Sequence, residues 1–160
     1  MQHLKKILPF MLIIAFLLSC ENDEECRKDK YVVFKAGFYK KTLNTQTNVY
    51  STSALSVDSI WVHGIDNDSM LYKNKKNISS ISLPLRKTEN QTDFEIRFNN
   101  TADTLTILHQ DTLQYLSLEC GCIKTFVVDT VITTNHFIDS VKISNHTVNT
   151  TDVEHIKIYH

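Results

Sequence analysis

Glycine and proline are nearly missing from this 160-residue chain, with three of the first and two of the second. That scarcity excludes collagen-like repeats, flexible linkers and glycine-rich phosphate loops. No basic run exists either: 17 Lys and Arg face 18 Asp and Glu, for a net charge of −1 and a pI near 6.6. Nucleic acid is not an expected partner, because neutralising its phosphates requires clustered Lys and Arg. Apolar runs of spanning length are also absent. The longest, 7–18, is interrupted by Pro9 and covers 12 residues. As a helix it would reach about 18 Å, short of a hydrocarbon core of about 30 Å. What is present is a hydrophobic fraction of 42%, enough for one packed domain.

Residues 1–19 read as a signal peptide and stand outside the fold. Lys5 and Lys6 precede the apolar run, which ends in Leu17-Leu18-Ser19-Cys20. An aliphatic residue three before a cysteine and a small residue just before it resemble the lipobox of bacterial lipoproteins. Only a thiol supplies the nucleophile for the lipid thioether, so the resemblance implies lipidation of Cys20 and cleavage after Ser19. Removing residues 1–19 leaves 141 residues, and losing Lys5 and Lys6 moves the net charge from −1 to −3. Two or three acyl chains, at roughly 0.8 kcal/mol per buried CH₂, would anchor the protein permanently. The expected location is the outer membrane, on its periplasmic face or at the cell surface. Residues 20–30 read as an acidic tether, opened by Glu21-Asn22-Asp23-Glu24-Glu25. That stretch resembles the acidic patch behind the lipidated cysteine in surface-exposed lipoproteins of Bacteroidetes.

From Tyr31 to His160 the chain reads as short β-rich runs divided by Asn, Asp, Ser and Thr. Phe94, Ile96 and Phe98 alternate with Glu95 and Arg97, and Leu105 and Ile107 alternate with Thr104 and Thr106. Leu116, Leu118, Cys120 and Cys122 continue the period of two, which predicts a strand. Ile81, Leu83 and Leu85 with Pro84 suit an edge strand, since Pro cannot donate to a central ladder. The polar stretch 44–56 reads as a long loop. Turn signals rest on Asn and Asp, which tolerate left-handed backbone. No helical stripe is evident. The prediction is an all-β domain, an antiparallel Ig-like β-sandwich of about seven to nine strands.

With Cys20 assigned to lipid, Cys26, Cys120 and Cys122 remain, in an exported and oxidising setting. Three thiols allow at most one internal bridge. A Cys120–Cys122 ring would be tight, which favours Cys26 as one partner. A wider resemblance bears on the choice. The lipobox, Cys26, the 58–64 run DSIWVHG, the 78–85 run ISSISLPL, the 103–107 run DTLTI and Glu119-Cys120-Gly121 are similar to a family of small Bacteroidetes outer-membrane lipoproteins of unknown function. The resemblance implies a compact β domain and a Cys26–Cys120 disulfide, and it carries no catalytic residue. Cys122 is then the odd thiol, expected to face the core beside Leu118.

No motif nominates a catalytic group, a cofactor or a metal. Seven histidines occur, but none shows ligand spacing, so they read as surface or turn residues. Asp66 and Asp68 lack the glycine and terminal glutamate of a calcium loop. One pattern does recur: Asp followed by Ser or Thr and then an aliphatic residue or Met. It occurs at six of the eleven aspartates, with Ser59, Ser69, Thr104, Thr112, Thr130 and Ser140 as the hydroxyl residues. Asp closing a turn and a β-former opening a strand account for it. It also resembles the O-glycosylation acceptor motif of exported Bacteroidetes proteins. The expected function is a non-enzymatic envelope lipoprotein whose β domain binds a protein or glycan partner. The alternative is a small hydrolase or metal-handling protein with an unrecognised site.

Overall fold

A computed structural model describes residues 30–66, 70–118 and 120–160. Among them there is no helix, and residues 31–160 form one compact unit of eleven strands. They are β1 (Phe34–Asn44), β2 (Val49–Ala54), β3 (Ile60–Gly64), β4 (Met70–Lys75), β5 (Ser80–Leu83), β6 (Gln91–Phe98), β7 (Thr101–Ser117), β8 (Gly121–Thr133), β9 (Ser140–Ile143), β10 (Thr147–Val148) and β11 (Ile156–Tyr159). The all-β sandwich is as the alternation requires. Two more strands are present than the upper expectation, because polar segments also pair.

The first sheet runs β2-β1-β11-β9, with β5 also on β1. β11 pairs with Ala36 to Tyr39 of β1 in parallel, the one departure from antiparallel pairing among the described strands. On the other edge of β1, β5 pairs with Phe34 to Gly37 and β2 with Tyr39 to Asn44. The second sheet runs β10-β8-β7-β6-β3-β4. Phe34, Ala36, Phe38, Ile156 and Ile158 of the first sheet are buried, as are Ile60, Ile96, Phe98, Leu105 and Ile107 of the second. Phe38 and Phe98 meet edge to face across the sandwich, with ring centroids 5.7 Å apart. Period-2 alternation delivers each of these side chains to the shared core.

Two expectations about the chain path fail. The stretch 44–56 is not a loop but the turn and second strand of a hairpin. Asn44 Oδ1 accepts from the backbone of Gln46 (2.9 Å) and Thr47 (3.2 Å), and Asn48 takes a left-handed φ of 54°. All of β2 is exposed, so its polar composition reports solvent rather than irregularity. Likewise, residues 116–122 are not one strand. β7 ends at Ser117, whose Oγ accepts from Cys120 N at 3.0 Å, and Gly121 turns the chain with φ +72°. The other positive-φ residues described are five Asn and one Asp. Side chains that can adopt left-handed backbone replace the missing glycines.

Candidate functional site

The far end of the β7–β8 hairpin carries Cys120 and Cys122. Cys120 is disulfide-bonded. Cys20 and Cys26 lie outside the described residues, and with them the lipidation and the Cys26–Cys120 pairing. Cys122 is a free thiol and is exposed, which corrects its expected position in the core. Turns at Leu118 and Cys120 break the alternation that the inward placement assumed. Cys122 pairs instead with Tyr115, which is 60% exposed, and Leu113 lies two residues away at 68%. Leu118 at the turn is 93% exposed. Leu113, Tyr115 and Cys122 therefore make one apolar strip on a single hairpin face.

The hydroxyl residues of the Asp-Ser/Thr pattern do not converge. Thr112 and Thr130 are exposed on β7 and β8; Thr104 and Ser140 are half-buried on β7 and β9. Ser59 is half-buried and donates to Asn74 Oδ1 at 2.6 Å. Ser69 lies outside the described residues. The aspartates separate further. Asp103 is buried at the centre of a knot: its carboxylate accepts from His136 N (2.6 Å), Phe137 N (2.7 Å), Ile138 N (2.9 Å) and Thr134 Oγ1 (2.7 Å). Burial alone would raise its pKa. The backbone donors of His136 and Ile138, the Thr134 hydroxyl and the Phe137 amide outweigh that and lower it to about 2.

Two histidines expected at the surface are buried. His155 Nδ1 accepts from Lys35 N at 2.9 Å, and the ring stacks on Phe34 with centroids 5.4 Å apart. His109 Nε2 bonds Thr92 Oγ1 at 2.8 Å and meets Phe126 edge to face. Burial lowers the pKa of both, so both rings are neutral at pH 7. No motif marks either one; their neighbours come from other strands. His109 also borders an open cleft of about 480 Å³, lined by Asn90, Leu108, His109, Gln110, Asp111 and Asp129 at a bulge between β7 and β8.

At this cleft a histidine stands beside two carboxylates, Asp111 and Asp129. His109 Nδ1 is buried and has no hydrogen-bond partner, so it faces no solvent. Thr92 already accepts from Arg86 N at 2.9 Å and is itself buried. Asp111 is held by Lys124 at 2.7 Å, and Asp129 accepts from Gln110 Nε2 at 3.1 Å. The two acids are thus engaged in cross-strand contacts, and the histidine keeps one ring nitrogen without a partner. Among the described residues no group of three or more His, Cys, Asp or Glu is placed to hold a metal ion.

Comparison with known proteins gives one result. A family model described as a family of unknown function (DUF6452) matches residues 59–160, from the residue before β3 through β11. No curated protein and no solved structure matches.

Proposed function

The chain belongs to that DUF6452 family of unknown function, and from this premise we propose that it is an envelope lipoprotein with a non-enzymatic binding or accessory β domain. On this reading Cys20 carries the lipid, the outer membrane of a Bacteroidetes cell is its location, and a protein or glycan is its partner. The observation that supports it is the exposed end of the β7–β8 hairpin. Leu113, Tyr115 and Leu118 lie in solvent beside a disulfide-bonded cysteine. Contiguous exposed apolar surface is the kind that a partner covers, unlike apolar side chains scattered singly. The buried ionisable groups point the same way, since Asp103, His109 and His155 are engaged inside the fold.

The anchor is tested by the N-terminal mass of the exported protein. A diacylated or triacylated Cys20 is expected, and Cys20→Ser should remove the acyl mass and leave the precursor uncleaved. An uncleaved, unacylated wild-type chain would overturn the anchor. The partner surface is tested by a photo-crosslinking residue at Leu113 in native membranes, with one at Lys73 on β4 as the control. Defined adducts are expected from position 113 alone.

A further inference from the structure

Beyond Tyr39 the first strand pairs with β2 alone. β11 reaches only Ala36 to Tyr39 and β5 only Phe34 to Gly37, so residues 40–44 and β2 form a two-stranded ribbon. Those five residues and all six of β2 are exposed. A two-stranded ribbon with both faces in water is marginal without a third strand. Its apolar side chains are uncovered too: Leu43 and Tyr50 stand opposite each other on one face, and Val49 lies on the other.

The ladder fixes which backbone groups of β2 are spare. Leu55 N donates to Phe38 O at 2.9 Å, so in this register the odd-numbered residues of β2 bond to β1. The N–H and C=O groups of Tyr50, Thr52 and Ala54 therefore point away from it, along the edge that β2 gives the sheet. The other open edges of the described strands are each blunted. β4 carries Lys73 and Lys75, and its ladder with β3 is irregular. β9 has four residues, Lys142 among them, and β10 has two. β5 has four, and its Ser82 N already donates to the Tyr72 hydroxyl at 2.8 Å. The free lengths of β1, β7 and β8 carry Lys40 and Lys41, Asp111, and Lys124 and Asp129. The stretch 49–55, VYSTSAL, has no charge, no Pro and no Gly, and the β1–β2 register has no shift. Among the described strands, β2 alone has none of the devices that keep an edge from pairing with its own kind.

We propose that this edge pairs antiparallel with β2 of a second copy of the chain, about a two-fold axis through Thr52. An axis normal to the sheet keeps the same face of both copies upward, so opposite residues must both be even or both be odd. Centred on Thr52, Tyr50 meets Ala54 of the second copy, Thr52 meets Thr52, and Ala54 meets Tyr50. All three pairs use the outward-facing backbone and together make about six hydrogen bonds. A centre at Ser51 would need Asn48 extended, whereas its φ is 54° and its N–H is bonded to Asn44 O. A centre at Ser53 would run past the end of β2. The Thr52 centre also sets the large Tyr50 against the small Ala54 on one face, and Val49 against Leu55 on the other. No charge lies within 49–55 to repel its own copy. A foreign strand is selected at an edge through pockets for its alternate side chains, and a strand with all six residues exposed offers none. The contact is one strand deep, which places the dimer in the transient class. It rests neither on the lipid anchor nor on the hairpin strip.

The test is sedimentation equilibrium of the full chain in density-matched detergent, from about 5 to about 500 µM. A reversible monomer–dimer equilibrium is expected. Thr52→Lys puts two ammonium groups on the axis and should raise the dissociation constant about tenfold or more, with the Tm of the dilute protein unchanged. Thr52→Glu should do the same. An equimolar mixture of the two variants should restore the dimer, because each axis then holds one base and one acid. Thr52→Val, uncharged and β-branched, should keep the wild-type equilibrium. A photo-crosslinking residue at position 52 in intact cells should give an adduct of twice the chain mass. A monomer across the whole range, a dimer indifferent to Thr52→Lys, a mixture that fails to associate, or an adduct that contains a different protein would overturn the proposal.

Discussion

Asp103 shows how one buried side chain can hold a crossover. It sits on β7, yet its partners are the Thr134 hydroxyl and three consecutive backbone N–H groups of residues 136–138, which lead from β8 into β9. Those amides have no place in a ladder, and the carboxylate gives them an acceptor, including the amide of Ile138, which would otherwise be buried unpaired. With a folded pKa of about 2 against about 3.9 in an unfolded chain, the ionised form is favoured on folding. Its contribution, about 2–3 kcal/mol, is fully present above the unfolded value and is lost as pH falls from about 5 through 2. Asp103→Asn should remove that acid-limb dependence and lower stability by about 2–3 kcal/mol, read as the urea midpoint across pH 2–6. An unchanged acid limb would refute the role. The buried histidines act in a separate window. Their pKa values are depressed, so the stability of the neutral rings is complete above about 6.5 and declines as pH drops below it. His155→Leu should flatten the decline between pH 7 and 5. It should also cost about 1–3 kcal/mol at pH 7, because Lys35 N loses its acceptor.

Among the elements, the strands that pack on both the core and each other were legible and the hairpin ends were not. Phe94, Ile96, Phe98, Leu105 and Ile107 announce β6 and β7 by alternation, and all five are buried. β2 announces nothing, because all six of its residues lie in solvent and hydrophobic periodicity exists only where one face is dry. The period of two through 116–122 misled for a related reason. Apolar side chains at Leu116 and Leu118 match a strand pattern, but the turn is fixed by Gly121 and by the Ser117 hydroxyl. The buried histidines were hidden because their neighbours are distant in sequence, with His155 beside Lys35 and His109 beside Thr92. The Asn- and Asp-based turns, by contrast, were correctly read from composition. The two hairpin cysteines should differ in kind. In the oxidised, natively folded protein, Cys122 should react with a thiol reagent without denaturant, and Cys122→Ser should change stability by less than about 0.5 kcal/mol. Cys120→Ser, which removes a disulfide, should cost about 2–4 kcal/mol. Peptide mapping without reductant should find Cys120, and not Cys122, in the bridge.

At the scale of the molecule, the first sheet depends on its last strand. β11 is short, four residues, but it lies between β1 and β9 and makes the parallel pair that brings the two ends of the domain together. Ile156 and Ile158 are buried in the shared core, and replacing one such side chain by Ala costs about 2–5 kcal/mol. The turn before β9 depends on the same strand, since Asp139 N donates to Tyr159 O at 2.9 Å. His160 stacks on Phe137 at 3.8 Å and Phe137 on Phe98 at 4.1 Å, which ties the C-terminal end to the second sheet. Removing residues 156–160 would therefore expose one edge each of β1 and β9, empty two core positions and break this stack at once. Domains of this size have about 5–15 kcal/mol in total. The two core positions alone cost about 4–10 kcal/mol, and the opened strand edges and broken stack add to that, so a chain ending at His155 should lack a cooperative thermal transition and dispersed amide resonances. By contrast, Leu43→Ser/Tyr50→Ser on the exposed β1–β2 end removes no core contact and should move stability by less than about 1 kcal/mol. A folded chain ending at His155 would show that the sandwich closes without its parallel strand.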